Sequence, residues 1–300
     1  MATRFLERLA SKEVLVADGA TGTNYQAMGL AIGVAPEDWV ESEPGKVLGV
    51  HRACIDAGSD IILTDTFGGT SLRLSETGFA GRARELNRRA AKLARDAVGN
   101  STPVLVAGSM GPTGGLMEPL GELTAQAAAD TYAEQAAALA EGGVDLLLLE
   151  TFFALEEAMA AIEGIKRVSD LPLVVTFSFD QGAKTMMGLS PTKMAAAIAP
   201  LGVAAIGANC GRSLDDMEKV AGELAGLNLD LPLWIKPNAG LPRMDGDVAR
   251  YDTTPAVMAE YTRRFIDAGA RIVGGCCGTS PEHLEAIASA ARSSHRQPVI

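Results

Sequence analysis

Residues 124–168 read TAQAAADTYAEQAAALAEGGVDLLLLETFFALEEAMAAIEGIKRV. Thr124–Glu141 places alanine and leucine at i, i+3, i+4 spacing, and Gly142 follows where a helix C-cap is expected. Val144–Glu150 is then an unbroken apolar run of strand length, and Leu155–Val168 resumes the helical spacing. A strand without polar alternation suits a parallel sheet covered on both faces. The stretch therefore reads as helix–strand–helix in an α/β protein.

The same rhythm extends along the chain in both directions. Further apolar runs fall at Glu13–Ala17, Asp60–Thr64, Pro103–Ala107, Pro172–Ser178, Val203–Asn209, Pro232–Lys236 and Arg271–Gly275, which makes eight. Helical spacing recurs over Pro44–Ala57, Arg82–Val98, Thr192–Ala199, Leu214–Leu224, Pro255–Ala268 and Pro281–Arg292. Pro44 and Pro281 sit where a first-turn proline is tolerated, and Ser280 is a candidate N-cap. Gly58, Gly142, Gly202 and Gly269 follow helices as C-terminal caps would. Eight βα units in 300 residues predict one α/β domain over 1–300, a (β/α)₈ TIM barrel, since such a barrel fills about 250 residues. An open doubly wound sheet would more often carry GxGxxG after its first strand. Here Asp18-Gly-Ala-Thr-Gly-Thr23 has a different glycine spacing, and no helix is expected to start at once.

At 47% hydrophobic with 33 glycines, the chain can bury a large core, which excludes disorder, a collagen-like fibre and a disulfide-stapled miniprotein. A formal charge of −11 with no basic block argues against nucleic acid or an anionic membrane as partner. MATRFLERLASKE lacks the apolar run of a signal peptide, and no 18-residue apolar stretch occurs, so a cytoplasmic protein is expected. The four cysteines are too sparse for a secreted framework. In a reducing compartment their clustering points to metal or catalysis.

In a barrel of this kind the active site gathers at the C-terminal ends of the strands. Those ends carry Asp18-Gly19, Thr64–Phe67, Glu150–Phe152, Asn209-Cys210, Lys236–Gly240 and Gly274–Gly278. Cys210, Cys276 and Cys277 thus fall at the tops of strands six and eight. Neighbouring side chains on a regular strand point to opposite faces, so both vicinal sulfurs reach one atom only if the backbone turns; Gly274, Gly275 and Gly278 permit that. Three thiolates with a fourth position open would suit a catalytic zinc rather than a structural one. Such an electron-rich ion activates water weakly but can bind an incoming thiol and keep it nucleophilic. That suggests alkyl transfer to sulfur rather than hydrolysis. Simple burial of small thiols, or a strained vicinal disulfide, are the alternatives, and Cys54 is assigned to core packing. Asp18 and Glu150 either grip the ammonium of a small zwitterion or serve as cap and salt bridge. Asp65 reads as structural. Asn209 and Asn238 either donate to a substrate carboxylate or hold their turns. His51, His283 and His295 support no histidine-based site, and Met110, Trp39 and Trp234 read as packing.

The set Asp18–Thr23, Gly207-Ala-Asn-Cys210, Pro237-Asn-Ala-Gly240 and Gly274-Gly-Cys-Cys-Gly-Thr-Ser-Pro-Glu-His283 resembles the homocysteine S-methyltransferase family. The match also takes in His51-Arg52 through Thr66-Phe67 and Gly111–Gly114, and so runs nearly the length of the chain. The resemblance implies a barrel with zinc on Cys210, Cys276 and Cys277. It implies homocysteine as methyl acceptor, its thiolate taking the open zinc position and displacing an activated methyl group in line to give methionine. It places Asp18 and Glu150 near the homocysteine amino group, with Gly19 and Asn209 lining the same pocket.

Family members use betaine, S-methylmethionine or S-adenosylmethionine, or methylcobalamin presented by another domain. Betaine enzymes carry a tyrosine near the donor, whereas the loop after Thr66-Phe67 reads Gly68-Gly69-Thr70, and aromatics make up only 5% of the chain. A cation cage is hard to assemble from so few. The chain looks closer to the homocysteine-binding module of cobalamin-dependent methionine synthase, without a cobalamin or folate module. A stand-alone module meeting a separate corrinoid protein, itself served by a folate-binding methyltransferase, is therefore expected. Betaine- or S-methylmethionine-dependent transfer is the alternative. From another class, a non-catalytic zinc or thiol redox sensor acting through Cys276–Cys277 would need neither Cys210 nor the strand-top acids.

Overall fold

The computed structural model describes residues 3–294, apart from 12, 76, 100–102 and 246–247; His295 lies outside the described residues. Strands β1 (Leu15–Val16), β2 (Ile61–Leu63), β3 (Leu105–Met110), β4 (Leu146–Phe152), β5 (Leu173–Phe177), β6 (Ala205–Cys210) and β7 (Leu233–Pro237) come first. A short hairpin, β8 (Arg243–Asp245) and β9 (Val248–Arg250), then precedes β10 (Ala270–Val273). The hairpin stands apart. The other eight strands form one parallel sheet in the order β1-β10-β7-β6-β5-β4-β3-β2, and a parallel bridge between Ala17 and Ile61 joins its two ends. This is the expected (β/α)₈ barrel.

Alternation along each strand divides two apolar layers. Leu15, Ala17, Ile61, Leu63, Leu105, Ala107, Leu146, Leu148, Val174, Ala205, Trp234 and Ile272 fill the interior. Val16, Ile62, Val106, Leu147, Leu149, Val175, Ile206 and Ile235 face outward into the layer beneath the helices. Both faces are apolar, which is why the strands read as continuous runs. Each fully buried Leu or Ile contributes roughly 1.5–3 kcal/mol. A helix at Arg4–Ala10 adds Phe5 and Leu9 to the interior cluster.

The eight expected helices form at Pro44–Asp56, Ala83–Val98, Ala125–Glu141, Leu155–Lys166, Pro191–Ile198, Leu214–Gly226, Pro255–Asp267 and Pro281–Ser294. Thr124, Ser190, Ser213 and Thr254 each cap a helix by accepting a backbone N–H. Cys54 is buried in the outer layer, as expected.

Two expectations fail. A helix does begin directly after the first strand end, at Thr21–Ala27; Ala20 offers it no side-chain cap. It is held instead by the buried Tyr25, stacked on Trp39 at 4.7 Å, and by the Asn24 amide donating to the Thr279 carbonyl. Strand β3 also runs to Met110, three residues beyond its expected end. Gly142 does cap the helix before it, as expected, with its N–H on the Ala138 carbonyl, and the left-handed turn follows at Gly143 with φ of 92°.

Candidate metal centre and substrate site

Cys210, Cys276 and Cys277 come together at the C-terminal mouth, their sulfurs all within 4.8 Å of one another and Cys210 Sγ 3.2 Å from Cys276 Sγ. Two backbone devices aim them there. At the top of β6 Cys210 has a φ of 59°, a conformation L-residues rarely adopt, and Gly211 continues the turn at 78°. After β10 the chain leaves the ladder: the Cys276 N–H donates to the Pro237 carbonyl at 2.7 Å, and Gly278 turns with φ of 82°. The two vicinal thiols thereby reach one side, as the glycines had implied.

Asn238, at the end of β7, ties the two loops together. Its N–H donates to the Cys210 carbonyl at 3.1 Å, and its amide donates to the Gly211 carbonyl at 2.9 Å. Its Oδ1 accepts the Cys277 N–H at 2.9 Å. Of the two readings for Asn238, the structure shows the turn-holding one.

Asn209 is fully buried below the sulfurs. Its Oδ1 accepts from the Thr151 N–H at 2.8 Å and the Thr176 hydroxyl at 2.7 Å. Its amide donates to Thr151 Oγ1 at 2.6 Å and reaches Cys210 Sγ at 3.6 Å and Cys276 Sγ at 3.9 Å. Thr151 carries a φ of 65°, so Asn209 links two strained strand ends.

Three sulfurs this close share their protons unequally. Hydrogen bonds from Cys210 and Cys276 hold the Cys277 thiol well below its ordinary value, and the same contacts, with burial, push Cys210 up. Four ligands at Zn–S lengths of 2.3 Å in a tetrahedron lie about 3.8 Å apart. The thiols meet that spacing with small adjustments, and soft sulfur donors select zinc or copper(I) over hard ions. A soft metal ion fits.

The carboxylates sit deeper. Glu150, at the top of β4, accepts a hydrogen bond from the Ser109 hydroxyl through Oε1. Burial pushes its carboxyl up to about 7, against the lowering influence of Lys236. Asp18 Oδ2 accepts the Leu63 N–H at 2.7 Å, and Oδ1 accepts from Lys236 Nζ at 3.0 Å. Both partners of this ion pair are 3–4% exposed. Burial works against the Lys236 charge, but Asp18 and Glu150, with Cys276, overturn it and hold the ammonium protonated. Gly19 packs where a Cβ would stand 2.9 Å from Thr279 Oγ1. Lys236 and Ser109 were missed. A lysine inside the apolar run of strand seven was the signal for the first, because buried ammonium groups require a partner; a lone serine in strand three gave none.

Fold and site together define a (β/α)₈ barrel with a three-cysteine cluster fit for a soft metal ion, set over buried acids at its C-terminal mouth. The model of the homocysteine S-methyltransferase family matches residues 15–291, and the chain belongs to that family. It is 33% identical over 304 residues to a methionine synthase of Mycobacterium leprae, covering 96% of this chain and 25% of that protein. A methionine synthase of Mycobacterium tuberculosis is 32% identical over 302 residues, with 95% and 25% covered. The chain thus spans about a quarter of the length of these relatives. Among solved structures it is similar to the homocysteine methyltransferase MmuM of Escherichia coli. The metallated form superposes with a TM-score of 0.79 at 24% identity over 95% of this chain and 99% of that one. The oxidised form gives 0.77 at 26% identity over 95% and 98%. Among the described residues no helix is long and apolar enough to cross a membrane.

Proposed function

We propose that the chain is a zinc-dependent homocysteine S-methyltransferase forming methionine, with methylcobalamin on a separate corrinoid protein as the methyl donor. The observation that carries this reading is the gathering of three thiols from two strand ends beside buried Glu150 and Asp18. Cys210, Cys276 and Cys277 would hold the zinc. When bound, it supplies a Lewis acid that lowers the pKa of an acceptor thiol while leaving it nucleophilic.

The chain's own residues do the rest. Asn238 and Asn209 fix the ligand loops in advance, so acceptor and donor meet in a set geometry. Asp18, Gly19, Glu150 and Asn209 line the acceptor pocket. Burial of that pocket keeps water from the reacting sulfur.

The structure also supports a donor that is not a small quaternary cation. A Cβ at residue 69 would stand 2.4 Å from Asn87 Oδ1, and one at residue 68 would stand 2.9 Å from Glu37 Oε1, so no larger side chain reaches the mouth from this loop. Tyr25, Trp39 and Tyr132 are buried in the core, and Tyr251, half-buried beside Cys277, is a single ring where a cation cage needs several. A corrinoid protein reloaded by a folate-binding methyltransferase, in the cytoplasm, is the donor this reading assigns. Methionine formation from homocysteine by the zinc-loaded protein, with methylcobalamin, betaine and S-methylmethionine in parallel, tests the reading. Turnover with methylcobalamin alone is expected; turnover only with betaine or S-methylmethionine overturns the donor assignment, and no turnover with any donor overturns the function.

A further inference from the structure

The resemblance to the family places two acids, Asp18 and Glu150, at the acceptor's amino group, yet the structure gives them unequal freedom. Asp18 already has a partner on each oxygen: the Leu63 N–H on Oδ2 and Lys236 Nζ on Oδ1. The lysine is carried by β7 at the register position opposite Asn209, one residue below the Cys210–Pro237 pair. It is 2% exposed and cannot swing out to solvent without leaving a buried carboxylate behind. A second ammonium brought to Asp18 would lie beside the first, and like charges in a buried site repel strongly.

Glu150 differs in each respect. Only Oε1 is engaged, by Ser109, and Oε2 has no hydrogen-bonding partner among the described residues. It forms no ion pair with Lys236 within 4.0 Å.

We propose that Lys236 is a specificity-determining residue: it occupies Asp18 permanently, so the ammonium of the acceptor amino acid is received by Glu150 alone. The inference rests on the proposed homocysteine reading of the site. Lys236 acts here as a positioning residue, since it sets which acid meets the substrate without touching the sulfur chemistry. Asp18 in turn anchors Lys236 and, through the Leu63 N–H, the top of β2.

Binding separates the two acids without any methyl donor. The zinc-loaded protein is titrated calorimetrically with L-homocysteine and with 4-mercaptobutanoate, which keeps the thiol and carboxylate and lacks the ammonium. One charge-assisted hydrogen bond predicts that the wild type favours homocysteine by about tenfold or more. In Glu150→Gln the two ligands should bind within about twofold of each other. In the charge-neutral swap Asp18→Asn with Lys236→Met, the wild-type preference should persist. A preference of about tenfold remaining in Glu150→Gln, or its loss in the double swap, overturns the proposal. The Glu150→Gln arm decides the matter even if the double swap does not fold, because that change is isosteric and leaves the Asp18–Lys236 pair intact. A wild-type protein that binds neither thiol overturns the homocysteine reading itself, a result distinct from either pattern of preference.

Discussion

Glu150 is the group whose environment makes the sharpest quantitative claim. Burial raises its carboxyl from an ordinary 4.5 to about 7, although the Lys236 ammonium pulls the other way. Between those two values the native protein keeps a proton that the unfolded chain has released. The native state therefore binds more protons than the unfolded state, and stability must fall as pH rises through that interval. At 1.36 kcal/mol per pK unit, the loss between pH 4.5 and 7 amounts to about 3 kcal/mol. Glu150→Gln removes the titration while keeping an acceptor for the Ser109 hydroxyl. Urea unfolding of the reduced, metal-free protein from pH 5 to pH 8 should show the wild type losing about 2–3 kcal/mol relative to the variant, most of it below pH 7. Parallel curves, differing in slope by less than about 1 kcal/mol, would refute the reasoning.

Other changes test the neighbouring parts of the site. Asp18→Asn leaves Lys236 as an unpartnered buried ammonium and should cost about 3–5 kcal/mol in urea unfolding; a loss under about 1 kcal/mol would mean the pair is solvated. Cys210→Ser should reduce bound zinc, measured by atomic absorption after dialysis, well below one ion per chain, because a neutral hydroxyl replaces one of three soft donors. Retention of a full equivalent would favour a pair of vicinal thiols acting without Cys210. Gly69→Ala drives a Cβ to 2.4 Å from Asn87 Oδ1 and 2.7 Å from Gln135 Nε2. It should lower stability by about 1–3 kcal/mol, visible as a lower melting temperature, and an unchanged melting temperature would mean that loop yields freely.

The barrel was legible because its signal is repeated. Each strand is buried on both faces and so is apolar throughout, and each helix shows a stripe, so eight units report the same architecture independently. The cysteines were legible because strand ends are where barrels do chemistry. What the pattern hid were features that depend on distant partners. The Thr21–Ala27 helix has glycine and threonine inside it and no cap, so its stability comes from Tyr25 packing and from Thr279, more than 250 residues away. Lys236 stands among the strand ends with no role legible from its neighbours, because its meaning depends on Asp18, 218 residues earlier. Asn238 and Asp18 showed the same ambiguity from opposite sides: one polar residue can equally face a ligand or a turn until its hydrogen bonds are counted.

Those hydrogen bonds also explain why the cysteine cluster is built before a metal ion arrives. Cys210 and Thr151 hold left-handed backbone that costs on the order of 1–3 kcal/mol each. The three bonds of Asn238 to the Cys210, Gly211 and Cys277 backbone, and the three of Asn209 to Thr151 and Thr176, are worth about 0.5–1.5 kcal/mol apiece. The two sums are of similar size. The strained turns therefore persist at little net cost, and the two asparagines, through five side-chain bonds and one backbone bond, hold the loops together. A metal ion binding there need not order the loops, so its affinity goes into coordination and into the acidity of the thiol it receives.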